Sequence, residues 1–144
     1  MIPLFLALRA LAASPASPGE PLAHYDAVRV ALVADNLVAA EAAARELATG
    51  GDAALATAAQ GVGSAPDLAS ARAAFSALSR AYISELASQP SPPKVSVYHC
   101  PMYQGFAWWV QPKAGIANPY LGQQMPGCGE EMSLKAAAKA ASTP

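Results

Sequence analysis

The residues with the most chemistry to offer lie in one stretch, 94–132, which reads KVSVYHCPMYQGFAWWVQPKAGIANPYLGQQMPGCGEEM. It holds both cysteines, one of the two histidines, both tryptophans and every methionine except Met1. Cys100 and Cys128 can supply thiolates, Met102, Met125 and Met132 thioethers, and His99 an imidazole. Thiolate and thioether sulfur are soft donors that select Cu(I), while two thiolates with an imidazole also suit zinc. Cys100, Met102, Met125 and Cys128 are the leading metal ligands in this reading, with His99 and Met132 in reserve.

What is missing narrows the chemistry further. No Asp or Glu occurs between Glu85 and Glu130. The stretch therefore has no carboxylate oxygens for calcium or magnesium. It also lacks the carboxylate pair of a glycosidase and the Asp of a Ser-His-Asp triad. A His99–Cys100 dyad is disfavoured because adjacent side chains point apart and Pro101 restrains the backbone. The expectation is a protein that is not an enzyme.

The same two cysteines are equally consistent with a disulfide, since paired cysteines in an exported protein commonly form one. Joining Cys100 to Cys128 closes a loop of about 28 residues, worth roughly 3–4 kcal/mol in the chain-entropy description. Phe106, Trp108, Trp109 and Tyr120 would then be packing residues and the methionines gap fillers. Metal site and disulfide both stand at this point. They are not exclusive, because one pair can pass between metal-bound and oxidised states.

The elements that position these residues follow from periodicity. Lys94–Tyr98 alternates as a short strand and Phe106–Val110 is a second; the prolines of the stretch exclude long helices. Upstream, no proline interrupts the chain between Leu22 and Pro66, and alanine dominates, so helix is the default. Tyr25, Val28, Leu32, Ala39, Ala43 and Leu47 fall near helical spacing on one face. Gly50-Gly51 ends that segment, Asp52 caps a short second helix through about Gln60, and Gly61-Val62-Gly63 closes it. Ser64-Ala65-Pro66-Asp67 reads as the start of a third helix, with Ser64 as its cap. Leu68, Ala71, Phe75, Leu78, Tyr82 and Leu86 then form the clearest amphipathic stripe in the chain, ending before Pro90.

These patterns predict a mainly α fold. An antiparallel bundle of about three helices is followed by an irregular Cys/Met/aromatic-rich segment with at most short strands. Residues 22–132 make a single domain, and 133–144 an Ala/Lys tail, frayed or weakly helical. The stripes are core seams with few inward polar groups, and His24 is a surface or capping residue. Alanine accounts for 36 residues of a chain that is 53% hydrophobic, which leaves enough larger side chains for one modest core. Charged residues are 13% and the formal net charge is -1, which argues against a nucleic-acid partner. No apolar run approaches the ~20 residues of a membrane span. Residues 1–21 read as a degraded export signal followed by a Ser/Pro spacer, with Ala10-Leu11-Ala12 as the cleavage-type triplet.

Tyr98-His99-Cys100-Pro101-Met102, Trp108, Asn118-Pro119-Tyr120-Leu121-Gly122, Met125 and Cys128-Gly129 together resemble an uncharacterised bacterial domain-of-unknown-function family. That family is found alone in the periplasm or fused to CusB-type adaptors of heavy-metal efflux systems. Tyr25, Leu32, Asp35, Ala39, Ala42-Ala43, Ala71-Arg72, Phe75 and Leu78-Ser79 extend the resemblance into the helices, so it spans Leu22–Met132. The Tyr-His-Cys-Pro-Met opening and Cys-Gly close are also similar to the small heavy-metal-binding domain of efflux adaptors and copper-transporting ATPases. Tyr103 stands where that domain has a His after the Met. Cys128-Gly129-Glu130-Glu131 stands in place of its Cys-x-x-Cys-Gly-Met, so two of its donors are absent here. The resemblance implies export to the bacterial periplasm, an association with copper, silver or related metals, and a heavy-metal efflux adaptor as partner.

The expected function is a non-catalytic periplasmic module that binds or passes on a soft metal ion, Cu(I) foremost. The alternative is a protein-interaction module whose Cys-rich segment is locked by a disulfide and whose aromatics, Phe106 to Val110, form a docking surface.

Overall fold

Residues 20–50 and 52–144 are described by the computed structural model. Apart from its last two residues, the segment read as an export signal and spacer lies outside them. Five helices and a three-stranded antiparallel sheet follow in the order α1 (Glu20–Val33), α2 (Leu37–Gly50), α3 (Ala53–Gly63), α4 (Leu68–Ser88), β1 (Ser96–His99), β2 (Trp108–Gln111), β3 (Glu130–Met132) and α5 (Leu134–Ala141). A short 3₁₀ turn, Gly122–Gln124, lies between β2 and β3. The fold is mainly α with short strands.

Short turns make each helix pack against the next from α1 to α4. The stripe on α4 is the core seam: Ala71, Phe75, Leu78, Tyr82 and Leu86 are all buried. The long first helix expected from the alanine-rich stretch is instead two. Asp35 takes a left-handed conformation, φ 54°. Asn36 N–H donates to the Ala31 carbonyl at 2.9 Å and Asp35 N–H to that of Leu32 at 3.2 Å. These are the paired bonds of a Schellman stop, and Asp is among the few residues that tolerate its backbone angle. Asn36 then starts α2 by accepting from Ala39 N–H at 3.0 Å. The turn resets the helical phase, so the buried face of α2 is Ala40, Ala44 and Leu47 rather than Ala39, Ala43 and Leu47.

Two further boundaries differ from the sequence reading. Asp52 caps α3 as expected, accepting from Leu55 N–H at 2.8 Å. For α4 the cap is Asp67, accepting from Ser70 N–H at 2.7 Å, while Ser64 closes α3. The C-terminal tail is a packed helix. Ser133 caps α5, Ala137 and Ala141 are buried, and Arg80 donates to the carbonyls of Ala141 and Thr143 at 2.9 Å each.

The sheet has the order β2-β1-β3. β1 and β2 are the two expected strands. β3 pairs with the other side of β1, setting His99 opposite Glu130 and Val97 opposite Met132. The outer edge of β2 turns its free backbone groups towards the helices, and hydroxyls meet them. Ser76 donates to the Phe106 carbonyl, Ser79 and Tyr120 donate to the Trp108 carbonyl, and Val110 N–H donates to the Tyr25 oxygen. An exposed strand edge is a template for aggregation; this one is sealed from within. An unbroken series of rings joins the two halves of the core, running Tyr82, Tyr25, Phe75, Tyr120, Trp109 and Tyr98 at centroid separations of 4.6–6.1 Å.

Candidate functional site

Cys100 is the residue after β1. Its side chain is fully buried and its N–H donates to the Ala107 carbonyl at 2.9 Å, extending the β1–β2 ladder by one step. Cys128 lies just before β3 and is half-buried. Continuing the β1–β3 register one step past His99–Glu130 brings Cys100 to the Cys128-Gly129 segment. There the Cys100 thiol is near enough to Cys128 to act on its titration. Gly129 makes that approach feasible, because a Cβ at this position would lie 2.9 Å from the Trp109 ring and 3.3 Å from Ile116.

The loop carrying Cys128 is held from the helices. Asn118 organises it: its amide donates to the Cys128 carbonyl at 2.8 Å. Its Oδ1 accepts from the N–H groups of Tyr120 and Leu121 at 2.8 and 3.1 Å. Arg29 of α1, bonded through Nε to Asp26 at 2.6 Å, donates through Nη1 to the Ala117 carbonyl at 3.2 Å. Arg72 of α4 donates to Pro119 at 2.9 Å and to Leu32 at 3.0 Å, and it pairs with Asp35. Gly122, at φ 56°, passes so close to this pair that a Cβ would collide with Asp35 Oδ1 and Arg72 Nη2. Gln123 completes the seam, its side-chain amide donating to the Val33 carbonyl at 2.7 Å. Asp35, Arg72, Asn118, Pro119, Tyr120 and Gly122, scattered over the sequence, thus form one clamp.

The candidate ligands differ in burial and in the segments that carry them. Cys100 and Cys128 are together. Met102 follows Cys100 by two residues and Met125 precedes Cys128 by three, with Cys128 N–H donating to the Met125 carbonyl at 3.2 Å. Both are exposed, at 65% and 46%. His99 alternates to the other face of the strand from Cys100, and its ring lies 4.7 Å from that of Trp108. Met132 sits opposite Val97, half-buried against the core. Among the described residues no group of three or more His, Cys, Asp and Glu is placed to hold a metal ion.

Burial, then the adjoining Cys100 thiol and Glu130, push the Cys128 thiol above its ordinary pKa. A thiol so placed stays protonated at neutral pH and is a weak nucleophile, because the thiolate is the reactive form. Burial likewise raises the phenol of Tyr120, close to Cys100, well above its usual value. The sequence reading missed the two arginines and Ser79 as inward polar groups. Arg72 and Ser79, with Asp35, are among the residues quoted above for the resemblance; Arg29 is not.

No protein family's sequence profile matches the chain, and no curated protein or solved structure shows significant similarity to it.

Proposed function

We propose that this chain is a non-catalytic periplasmic module that binds or passes on a soft metal ion, Cu(I) foremost, through Cys100 and Cys128, in partnership with a heavy-metal efflux adaptor. The β1–β3 register, which sets Cys100 beside the Cys128-Gly129 segment, carries this reading. Sulfur donors select Cu(I), whereas a structural zinc site asks for four ligands, and no third His, Cys, Asp or Glu joins the pair among the described residues. The exposed thioethers of Met102 and Met125, on the segments flanking the pair, are the soft donors nearest in sequence for an arriving or departing ion. The family resemblance supports the periplasmic setting and the adaptor.

The test is an anaerobic titration of the reduced protein with Cu(I) against a chelating competitor. The expected result is one Cu(I) retained per chain, and its loss in the Cys100→Ser/Cys128→Ser variant. Equal retention by that variant overturns the proposal.

The same adjacency favours a second reading, an interaction module braced by a Cys100–Cys128 disulfide. It requires protein isolated without reductant to carry no free thiol, no Cu(I) uptake after reduction, and a melting temperature that falls when reductant is added.

A further inference from the structure

Arg29 is only 7% exposed, yet its guanidinium is not fully paired. Nε donates to Asp26 Oδ1 at 2.6 Å and Nη1 to the Ala117 carbonyl at 3.2 Å, while Nη2 has no hydrogen-bond partner among the described residues. Among those residues Glu85 Oε2 is the one unpaired side-chain nitrogen or oxygen that is closed off from solvent, so the unpaired Nη2 is open. It opens on a cleft of about 350 Å³, lined by Asp26 and Arg29 of α1 and by the chain from Gln111 to Ala117. Such a volume lies within the range of small-ligand sites. Lys113, also lining the cleft, is exposed and has no carboxylate partner among the described residues. We infer that this cleft is a binding site for the carboxylate group of a monoanionic ligand, held by Arg29 Nη2 and the Lys113 ammonium.

Charge and donor type select this chemistry. Arg29, Lys113 and Asp26 are the ionised side chains of the cleft, and two cations against one carboxylate leave one net positive charge. A singly charged anion balances it, whereas a dianion meets the Asp26 carboxylate and a cation meets two like charges. Guanidinium and ammonium N–H groups give carboxylate oxygens strong, charge-assisted hydrogen bonds. The site is also built before a ligand arrives. The bonds from Nε and Nη1 fix the plane of the guanidinium. Gln111, 4% exposed, shapes the loop that carries Lys113. Its Nε2 donates to the Lys113 carbonyl at 2.8 Å and to the Gly115 carbonyl, and its Oε1 accepts from Ala117 N–H at 3.4 Å. Gly115 N–H in turn donates to the Tyr98 hydroxyl at 3.0 Å. A loop so braced spares the ligand most of the cost of ordering it. Bracing Ala117 occupies Nε and Nη1 alone, so the structural role of Arg29 leaves Nη2 to the ligand. The carboxylate can belong to a small organic acid or to the C-terminus of a peptide.

The experiment titrates the whole nitrogen-15-labelled protein at constant ionic strength, just below neutral pH, and follows backbone amide and arginine Nε–H signals by NMR. The probes are propionate, N-acetyl-alanyl-alanine with a free C-terminus, and the same dipeptide as its C-terminal amide. Saturable shifts confined to Arg29 and residues 111–117 are expected with both acids and not with the amide. Tighter binding of the dipeptide acid assigns the cleft to chain termini, and tighter binding of propionate to small organic acids; both support the proposal. Lys113→Glu alters an exposed side chain and is expected to weaken binding about tenfold, since one charged hydrogen bond is lost. Asp26→Asn keeps the acceptor for Arg29 Nε and is expected to tighten binding. Signals outside the cleft establish that each variant is folded. An equal response to the amide, or shifts that do not saturate, overturns the proposal. So does tighter binding by Lys113→Glu or weaker binding by Asp26→Asn. The cleft contains neither cysteine, so these outcomes are independent of the Cu(I) titration.

Discussion

The Ser79 hydroxyl of α4 donates to the Trp108 carbonyl of β2 at 2.6 Å, and this single bond orients a closed circuit. Ser79 has one proton and spends it on Trp108. The 2.8 Å contact between Ser79 and Tyr25 must therefore be donated by the Tyr25 phenol. Tyr25 is then free to accept from Val110 N–H at 3.4 Å. The protons run from the β2 backbone through two buried hydroxyls and back to the β2 backbone. Burial holds the Tyr25 phenol above its ordinary pKa, so the circuit stays intact through the neutral range.

Breaking the circuit leaves buried polar groups unpaired. Tyr25→Phe orphans Val110 N–H, and Ser79→Ala deprives Tyr25 of its acceptor. Each is expected to cost about 1–3 kcal/mol in urea denaturation. The double variant is expected to cost less than the sum, because both deletions break the same interaction. Full additivity would show that the two hydroxyls act separately.

The clamp on the Cys128 loop has its tightest point at Gly122, where both space and a φ of 56° require glycine. Gly122→Ala is expected to destabilise by roughly 2–4 kcal/mol, since the new methyl displaces the Asp35–Arg72 pair. Arg72→Lys keeps the charge but loses the fork that reaches Pro119, Leu32 and Asp35 together. Hydrogen exchange is expected to quicken over 117–124 in both variants, and unchanged protection there would deny the clamp its role.

Glu85 has a buried Oε2 with no hydrogen-bond partner. Burial, and then the Asp52 charge, raise its pKa above the ordinary 4.5. A raised carboxyl binds its proton more tightly in the folded state, so its contribution to stability is present below 4.5 and is lost as pH rises through the folded value. Glu85→Gln is accordingly expected to raise the melting temperature at neutral pH and to change it little in acid. A lower melting temperature at neutral pH would mean that the carboxylate is stabilising.

Asp67 has the opposite sign. Hydrogen bonding to the Ser70 backbone, foremost, holds its pKa below the ordinary 3.8. Its cap stabilises α4 above that value and fails as pH falls through the lower, folded-state one. Asp67→Ala is expected to lower the melting temperature at neutral pH, with the gap closing in strong acid. A gap independent of pH would assign the effect to something other than the ionised cap.

Local patterns in the chain by themselves determined the helical stripe on α4, the Asp52 cap, the strands around Val97 and Trp109, and the concentration of soft donors after Lys94. Each depends on neighbours a few positions apart, through helical or strand periodicity or a short capping bond. The Asp35-Asn36 stop was equally local, yet the run of alanines masked it. The tertiary structure alone decided which donors meet. Nothing local says that Cys128 reaches Cys100 while His99 turns to Trp108. That outcome depends on β3 pairing with β1 and on Arg72 grasping Pro119, 47 residues away in sequence. Contacts of that span form only when the whole core closes around them, so their partners are set by packing rather than by spacing along the chain.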